Sequence, residues 1–336
     1  MAVLDLTTLQ PNKVSKDISS YTTLLFGQPK VGKSRLAAEF PKPIFFATEP
    51  TQTTIPGAYI VPVTKWSELK QYLRQLRNSS LKETFSTVVI DTVDLASTYA
   101  EKYICQREGV ESIKDIAWGA GYKMVENEFR DTLFSIRQEG YGLVLISHVT
   151  SSTFTREDGT EYNENIPALP DKRTRGVVEN LADIYAYAHM VKNANGEYER
   201  VLTLRAVDPT TPAGSHFKYM PESVPLDYNA LSKALADAID KEEQELGGQF
   251  FTEDKHSLVT ESQLDFDELM AEFDEMVSKL QDVTGGAFGT TWAPRIAETV
   301  AKYLGKGKKI SECTQDQVDM INLIVEDLKE QIGNGI

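Results

Sequence analysis

The sequence predicts an α/β fold with a mostly parallel central sheet, followed by a small C-terminal helical module. Short apolar runs alternate with segments of helical periodicity between residues 21 and 147, which is typical of a parallel sheet covered by helices on both faces. The glycine-rich sequence GQPKVGKS follows the first apolar run directly. Two further helical segments follow Gly285-Gly286, after a stretch that is mostly acidic.

The predicted strands of the first half are short and apolar, and helical spacing separates them. Pro41 and Pro43 end the first helix, which is predicted near Ser34–Glu39. The predicted strands are 21–26, 44–48, 58–62, 85–90 and 141–147, and the predicted helices include 66–76, a stretch to about 107, and about 122–138. This order predicts that the strands lie side by side in one sheet.

The second half contains a long polar segment and then a hairpin. Residues 150–176 lack apolar periodicity, so we expect a long loop there, which is either functional or disordered. Strands at 181–191 and 198–205 are joined at Asn195-Gly196, which is a hairpin signal, and a helix follows at 226–245. We expect a core domain at 1–248, an acidic linker at 249–286 and a helical module at 287–336, with helices near 292–304 and 314–331. The acidic residues 253–275 indicate either a solvated linker or an exposed helix.

Composition places the chain among globular proteins. Its 336 residues carry a formal net charge of −15, and 41% of them are hydrophobic. Two distant cysteines fit a reducing compartment, and no secretory signal or membrane-spanning run is recognised, so we expect a cytoplasmic protein that contacts no membrane. Because the chain is acidic, nucleic-acid binding would require a local basic patch.

The segment from Gly27 to Ser34 matches the P-loop pattern G-x-x-x-x-G-K-[ST] in full. Backbone N–H groups of such a loop face phosphates, Lys33 reaches the β- and γ-phosphates, and the Ser34 hydroxyl binds Mg²⁺. The predicted cofactors are therefore ATP and Mg²⁺. The predicted nucleotide-binding residues are Gly27, Gln28, Pro29, Lys30, Val31, Gly32, Lys33, Ser34 and Arg35.

Carboxylates follow two of the predicted strands. Asp91 ends the strand after Phe85 and matches the Walker-B pattern, so we expect it to hold Mg²⁺, with Asp94 as a rival for that role or a helix N-cap. Glu49 follows the strand after the P-loop helix. It is either the residue that polarises the attacking water or an exposed turn residue before Pro50.

Several cationic residues are candidates for coupling and for contact with DNA. His148 follows strand 141–147 and would lie beside the γ-phosphate if that strand neighbours the strand of Asp91. Lys172, Arg173 and Arg175 form a compact basic cluster, which either contacts DNA phosphates or is a solvated charge run. Arg205 is a candidate for reaching the nucleotide of a neighbouring subunit. A second cluster, at Lys302, Lys306, Lys308 and Lys309, either contacts DNA or interacts with a helix C-terminus.

The order GQPKVGKS, IFFATEP, TVVIDTVD and LVLISHV resembles the RecA-like ATPase core, over about residues 18–240. The stretches WGAGYKMVENEF and PLDYNALSKAL are similar to the phage-encoded RecA-like ATPases of the AAA group, which act in single-strand annealing or recombination. The resemblance implies that Glu49 is the catalytic glutamate, that His148 couples the γ-phosphate to the DNA-binding loop, and that 150–176 is that loop. The chain departs from bacterial recombinases at two points: His148 stands where they have Gln, and their lysine pair, which reaches across subunits, has no clear equivalent here apart from Arg205.

The resemblance implies an ATPase that binds single-stranded DNA and supports recombination or annealing, beside single-strand-binding protein and as a homo-oligomeric filament or ring. Lys33, Glu49 and His148 would be its catalytic residues. Two alternatives remain open at this stage. One is a P-loop loader or motor accessory acting on a protein partner, and the other is a nucleotide switch that does not hydrolyse ATP.

Overall fold

The computed structural model describes residues 11–49, 54–156, 158–206, 210, 212–247, 250–255, 266–314 and 317–333. The described residues up to 255 form one compact unit, and those from 266 onward form another. Pro50, which follows Glu49, and Gly248, the predicted end of the core, lie outside the described residues.

The described part of the larger unit contains one large mixed sheet and a separate pair of short strands. Its strands are β1 (Val14–Ser15), β2 (Thr22–Gly27), β3 (Pro43–Ala47), β4 (Tyr59–Pro62), β5 (Thr87–Asp91), β6 (Gly142–Thr155), β7 (Glu161–Pro167), β8 (Ile184–Lys192), β9 (Tyr198–Thr203), β10 (Gly214–Ser215), β11 (Ser223–Pro225) and β12 (Phe251–Thr252). The sheet order is β11-β9-β8-β2-β6-β5-β3-β4, while β1 pairs with β12 separately. The strands from β8 to β4 are parallel, and β9 and β11 are antiparallel additions at one side. The predicted α/β fold with a mostly parallel sheet is therefore confirmed.

Helices cover both faces of this sheet. They are α1 (Lys33–Ala37), α2 (Trp66–Gln75), α3 (Ser79–Thr84), α4 (Val93–Glu108), α5 (Ala120–Gln138), α6 (Lys172–Leu181) and α7 (Tyr228–Leu246). One core cluster joins the sheet to α2, α4, α5 and α6, and includes the fully buried rings of Trp66 and Phe129. The other joins it to α1 and α7 through Leu36 and Leu235. Because helices cover both faces of the sheet, the central strands have apolar side chains on both faces and their sequences are continuous apolar runs.

The predicted loop at 150–176 is wrong for most of its length. Strand β6 continues to Thr155 and pairs antiparallel with β7, so these residues form a hairpin. Gly159, at φ +84°, lies in its turn, and Asp158 Oδ1 accepts a hydrogen bond from Thr160 N at 2.9 Å. Many side chains on this hairpin are exposed, so the sequence shows no apolar alternation there. By contrast, the hairpin predicted at Asn195-Gly196 is confirmed by the pairing of β8 with β9.

The linker predicted at 249–286 is wrong where helix α8 occupies Phe266–Thr284, and the alternative of a helix in the acidic segment is correct there. This helix belongs to the C-terminal unit, together with α9 (Ala293–Leu304) and α10 (Val318–Gly333). Leu269 and Phe273 are buried in one cluster with Val300 and Ile324, and Leu280 is also buried. The acidic residues lie between these apolar positions, which recur at helical spacing, so a charged composition conceals an amphipathic helix.

Candidate functional site

The P-loop connects the carboxyl end of the central strand β2 to helix α1. Gly27 has φ +156°, and a Cβ there would lie 2.1 Å from the carbonyl oxygen of Ala188 on β8. Gly32 has φ +122° and occupies the N-cap position of α1. Both glycines therefore have backbone conformations that other residues rarely adopt. The first is also required by the close approach of a neighbouring strand, which the sequence pattern does not show.

Lys33 is buried beneath this loop, with 6% of its surface exposed. Its Nζ donates hydrogen bonds to the carbonyl oxygens of Gly27 at 2.8 Å and Gln28 at 2.9 Å. Burial lowers the pKa of Lys33 to about 8, against the opposing effect of the nearby carboxylates, of which Asp91 is the strongest. The ammonium is thus held inside the curve of the loop, where the motif places it for contact with phosphate.

Ser34 and Asp91 meet across the sheet. The Ser34 hydroxyl donates a hydrogen bond to Asp91 Oδ2 at 2.6 Å. Asp94, in the first turn of α4, has a buried Oδ1 with no hydrogen-bond partner in the described part of the chain. Hydroxyl and carboxylate oxygens are the ligands that Mg²⁺ prefers, so this donor set fits the predicted ion, with Ser34 and Asp91 as the residues that would hold it.

Glu49 lies just past β3, beside the residue that follows Asp91. Its Oε1 accepts a hydrogen bond from the Thr92 hydroxyl at 3.3 Å. The backbone of Thr92 is fixed in turn by Thr48, whose Oγ1 accepts from Thr92 N at 2.7 Å. The side chain of Glu49 is 28% exposed, so solvent reaches its carboxylate. The sequence left Glu49 as either a residue that polarises water or an exposed turn residue. Its placement at the edge where ligands bind agrees with the first alternative, and the catalytic role of Glu49 stays a prediction.

His148 pairs directly with Gly27 in the register of β6 against β2. Strand β6 also neighbours β5, with Ile146 opposite Asp91, so the condition set for His148 by the sequence is met. Its Nδ1 lies 3.0 Å from Asp94 Oδ2 and 3.7 Å from Glu49 Oε1. The hydrogen bond to Asp94 raises the pKa of His148, and burial opposes this effect.

The sequence left two roles open for Asp94, a ligand of Mg²⁺ or a helix N-cap. The structure puts its Oδ2 against His148, and Thr92 rather than Asp94 occupies the N-cap position of α4, so the N-cap alternative is wrong. One feature of the sequence indicates the contact between Asp94 and His148: Asp94 comes three residues after Asp91, which is about one turn of a helix. Thr48 and Thr92, which fix the backbone between the carboxylates, carry no sequence signal of their own.

The predicted basic cluster lies on a helix rather than in a loop. Lys172 and Arg173 are exposed in the first turn of α6, and the Arg173 guanidinium lies 4.9 Å from the centroid of the Tyr122 ring. Arg175 is 3.8 Å from Glu179 Oε1, one turn along the same helix. Lys172 and Arg173 therefore present charge to solvent, while Arg175 shares an ion pair.

Arg205 lies far from the P-loop in its own chain. Strand β9 is antiparallel to β8, and Leu202 is level with Ala188, which pairs with Gly27. Arg205 follows the end of β9 and therefore lies toward the opposite edge of the sheet, where its Nη2 is 3.4 Å from Glu222 Oε1. A contact with a neighbouring subunit's nucleotide stays a prediction.

A parallel sheet with a complete P-loop at the end of its central strand defines the chain as a P-loop NTPase. A family model described as an AAA domain matches residues 19–215, and the chain belongs to that family. It is also similar to the SPbeta prophage-derived uncharacterized protein YorG of Bacillus subtilis (strain 168), with 28% identity over 98% of this chain and 99% of that one. Among the helices that the structure describes, none has the length and apolar character required to span a membrane.

Proposed function

We propose that the protein is a Mg²⁺-dependent, RecA-like ATPase that binds single-stranded DNA and supports recombination or annealing of phage DNA. The observation that carries the proposal is the meeting of four functional groups at the carboxyl edge of one sheet. These are the Lys33 ammonium, the Ser34–Asp91 pair, the Glu49 carboxylate and the His148 ring. The family match and the similarity to a prophage-derived protein support the ATPase and phage parts of the proposal.

The proposed roles follow from the chemistry of each group. The P-loop amides and Lys33 bind the phosphates, and Ser34 and Asp91 hold the metal ion, which neutralises phosphate charge when bound. Glu49 orients the attacking water and accepts its proton, for which its exposed carboxylate at the sheet edge is suitable. His148, between Asp94 and Glu49, is placed to respond to the nucleotide.

A short backbone path supports the coupling to DNA. His148 leads directly into the β6–β7 hairpin, and the chain returns to it, because Ala168 N donates to the His148 carbonyl at 2.9 Å. Helix α6 begins four residues later, at Lys172. We propose that Lys172 and Arg173 contact DNA phosphates and that this path carries the state of the nucleotide to them. Arg175 would contribute less, since Glu179 shares its charge.

The first experiment measures ATP hydrolysis with and without single-stranded DNA in the wild type and in Lys33→Ala and Glu49→Gln. We expect DNA to stimulate the rate, Lys33→Ala to remove ATP binding, and Glu49→Gln to remove turnover while ATP still binds. Glu39→Gln, at an exposed carboxylate two residues after α1, is the matched control and should hydrolyse ATP at the wild-type rate. Unchanged turnover in Glu49→Gln would contradict the catalytic role and favour a nucleotide switch.

The second experiment measures the affinity for single-stranded DNA over a range of salt concentrations. Lys172→Glu combined with Arg173→Glu should weaken binding and reduce the salt slope by about 2. Lys233→Glu combined with Lys279→Glu changes the net charge equally at two exposed positions elsewhere and should leave the slope unchanged. Equal slopes in the two double variants would remove α6 from the DNA site, and absence of any DNA binding would favour a loader that acts on a protein partner.

A further inference from the structure

The structure brings an arginine from β9 to the P-loop of the same chain. Strand β9 is antiparallel, so residues before Leu202 lie further toward the carboxyl edge of β2 than Gly27 does. Arg200 is two residues before Leu202 and lies on the same face of the sheet. Leu202 is fully buried in the core beneath α1 and α7. The side chain of Arg200 therefore extends past the edge of this core, on the face that carries the P-loop helix.

The guanidinium of Arg200 lies against the second glycine of the P-loop. Its Nη1 is 3.8 Å from the position that a Cβ on Gly32 would occupy, and Leu226 Cδ2 is 3.0 Å from the same position. The backbone holds this part of β9 in place, because Leu226 N donates to the Arg200 carbonyl oxygen at 3.0 Å. Gly32 directly precedes Lys33, so Arg200 reaches the loop at the point where phosphate would be bound.

The guanidinium of Arg200 forms no ion pair with the residues that the structure describes. The side chain is exposed, and no carboxylate of the described residues lies within ion-pair distance of it. This differs from Arg205 on the same stretch of chain, which has Glu222 as a partner. An exposed, unpaired guanidinium beside a phosphate-binding loop can form paired hydrogen bonds to phosphate oxygens.

The electrostatics of the site call for a second cation. Three carboxylates, Asp91, Asp94 and Glu49, lie close enough to act on the ammonium of Lys33. A guanidinium keeps its charge throughout the physiological range and carries several donors. Arg200 therefore supplies positive charge where the site is otherwise dominated by carboxylates.

We infer that Arg200 binds the phosphate chain of the nucleoside triphosphate held by the P-loop of its own chain. This inference rests on the proposed binding of ATP and adds a phosphate-contacting residue that the P-loop motif does not contain. It differs from the prediction for Arg205, which concerns a neighbouring subunit's nucleotide.

The test measures binding of Mg·ATP by titration calorimetry in three variants of the full chain. Arg200→Met keeps the aliphatic length but removes the charge, Arg200→Lys keeps one positive charge, and Arg74→Met, at an exposed arginine on α2, is the matched control. We expect Arg200→Met to bind ATP about 10-fold to 100-fold more weakly, which is the loss for a charge-assisted hydrogen bond or two. Arg200→Lys should recover part of this loss, and Arg74→Met should bind as the wild type does.

Melting temperatures without nucleotide separate binding from folding. All three variants should melt with the wild type, since both arginines are exposed. Wild-type ATP affinity in Arg200→Met would overturn the inference, as would an equal loss in Arg74→Met. If the wild type itself does not bind ATP while remaining folded, the proposed function fails instead, so the two failures are distinguishable.

Discussion

Replacement of Gly27 by alanine tests whether the first glycine of the P-loop is required by the sheet as well as by the loop. The new Cβ would lie 2.1 Å from the carbonyl oxygen of Ala188 and 3.2 Å from its Cβ. Because real Cβ atoms essentially never approach another atom within 3.0 Å, β2 and β8 would have to separate locally by about 1 Å. Two adjacent strands at the centre of the sheet cannot move in this way without weakening their hydrogen bonds.

The expected cost has two parts. Overpacking in a well-packed interior costs about 1–3 kcal/mol, and the φ of +156° adds about 1 kcal/mol for a residue with a Cβ. The total of about 3 kcal/mol corresponds to a fall of about 6–12 °C in the melting temperature of a domain of this size. The melt is measured without nucleotide, so the result does not depend on the proposed function.

Gly159→Ala is the matched control for this measurement. Gly159 also has a positive φ, +84°, but no atom lies within 4 Å of the position of its added Cβ. It therefore carries only the conformational cost, about 1 kcal/mol. If Gly27→Ala melts within about 2 °C of Gly159→Ala, the approach of Ala188 does not limit this position, and the reasoning is refuted.

Three further predictions concern stability. Trp66→Phe removes the hydrogen bond from Nε1 to Glu128 Oε1 at 2.9 Å, which should cost about 1–2 kcal/mol in urea unfolding; an unchanged midpoint would contradict this. Burial lowers the pKa of Lys255 to about 8, so the unfolded chain binds more protons above that pH and wild-type stability should rise from about pH 8 to 10.5. Lys255→Met should reduce this rise without abolishing it, because burial also lowers the pKa of Lys33 to about 8; a rise of equal size in the variant would exclude Lys255 as a source. Phe273→Ala should cost about 3 kcal/mol within the C-terminal unit, so hydrogen exchange should quicken in α10 and not in β2; equal changes in both would show that the units unfold together.

The sequence predicted the central strands and the P-loop because both have strong local signals. A strand buried on both faces is a continuous apolar run, and β2, β5 and the first part of β6 are of this kind. The P-loop has fixed residue types at fixed spacing. The carboxylate Glu49 and the imidazole His148 were found for a related reason, since each directly follows an apolar strand.

The elements that were missed depend on contacts that no local pattern encodes. The β6–β7 hairpin exposes polar side chains on both sides, so it lacks the alternation by which strands are recognised. Arg200 is near the P-loop only because of the register of three neighbouring strands, and a one-residue slip would place it on the other face.

The sheet geometry that brings the carboxylates of the site together also costs electrostatic free energy. Strands β5 and β3 are parallel and end at one edge, so Asp91 and Glu49 are brought together there, with Asp94 in the following helix turn. Like charges in a partly buried space repel, and the chain offsets this by placing Lys33 beneath them and hydrogen-bonding His148 to Asp94. A site with more carboxylates than cationic groups favours a nucleotide that binds as its complex with a metal cation. This is the electrostatic reason for expecting nucleotide and Mg²⁺ to bind together, and for expecting the charge of Arg200 to matter most once phosphate is present.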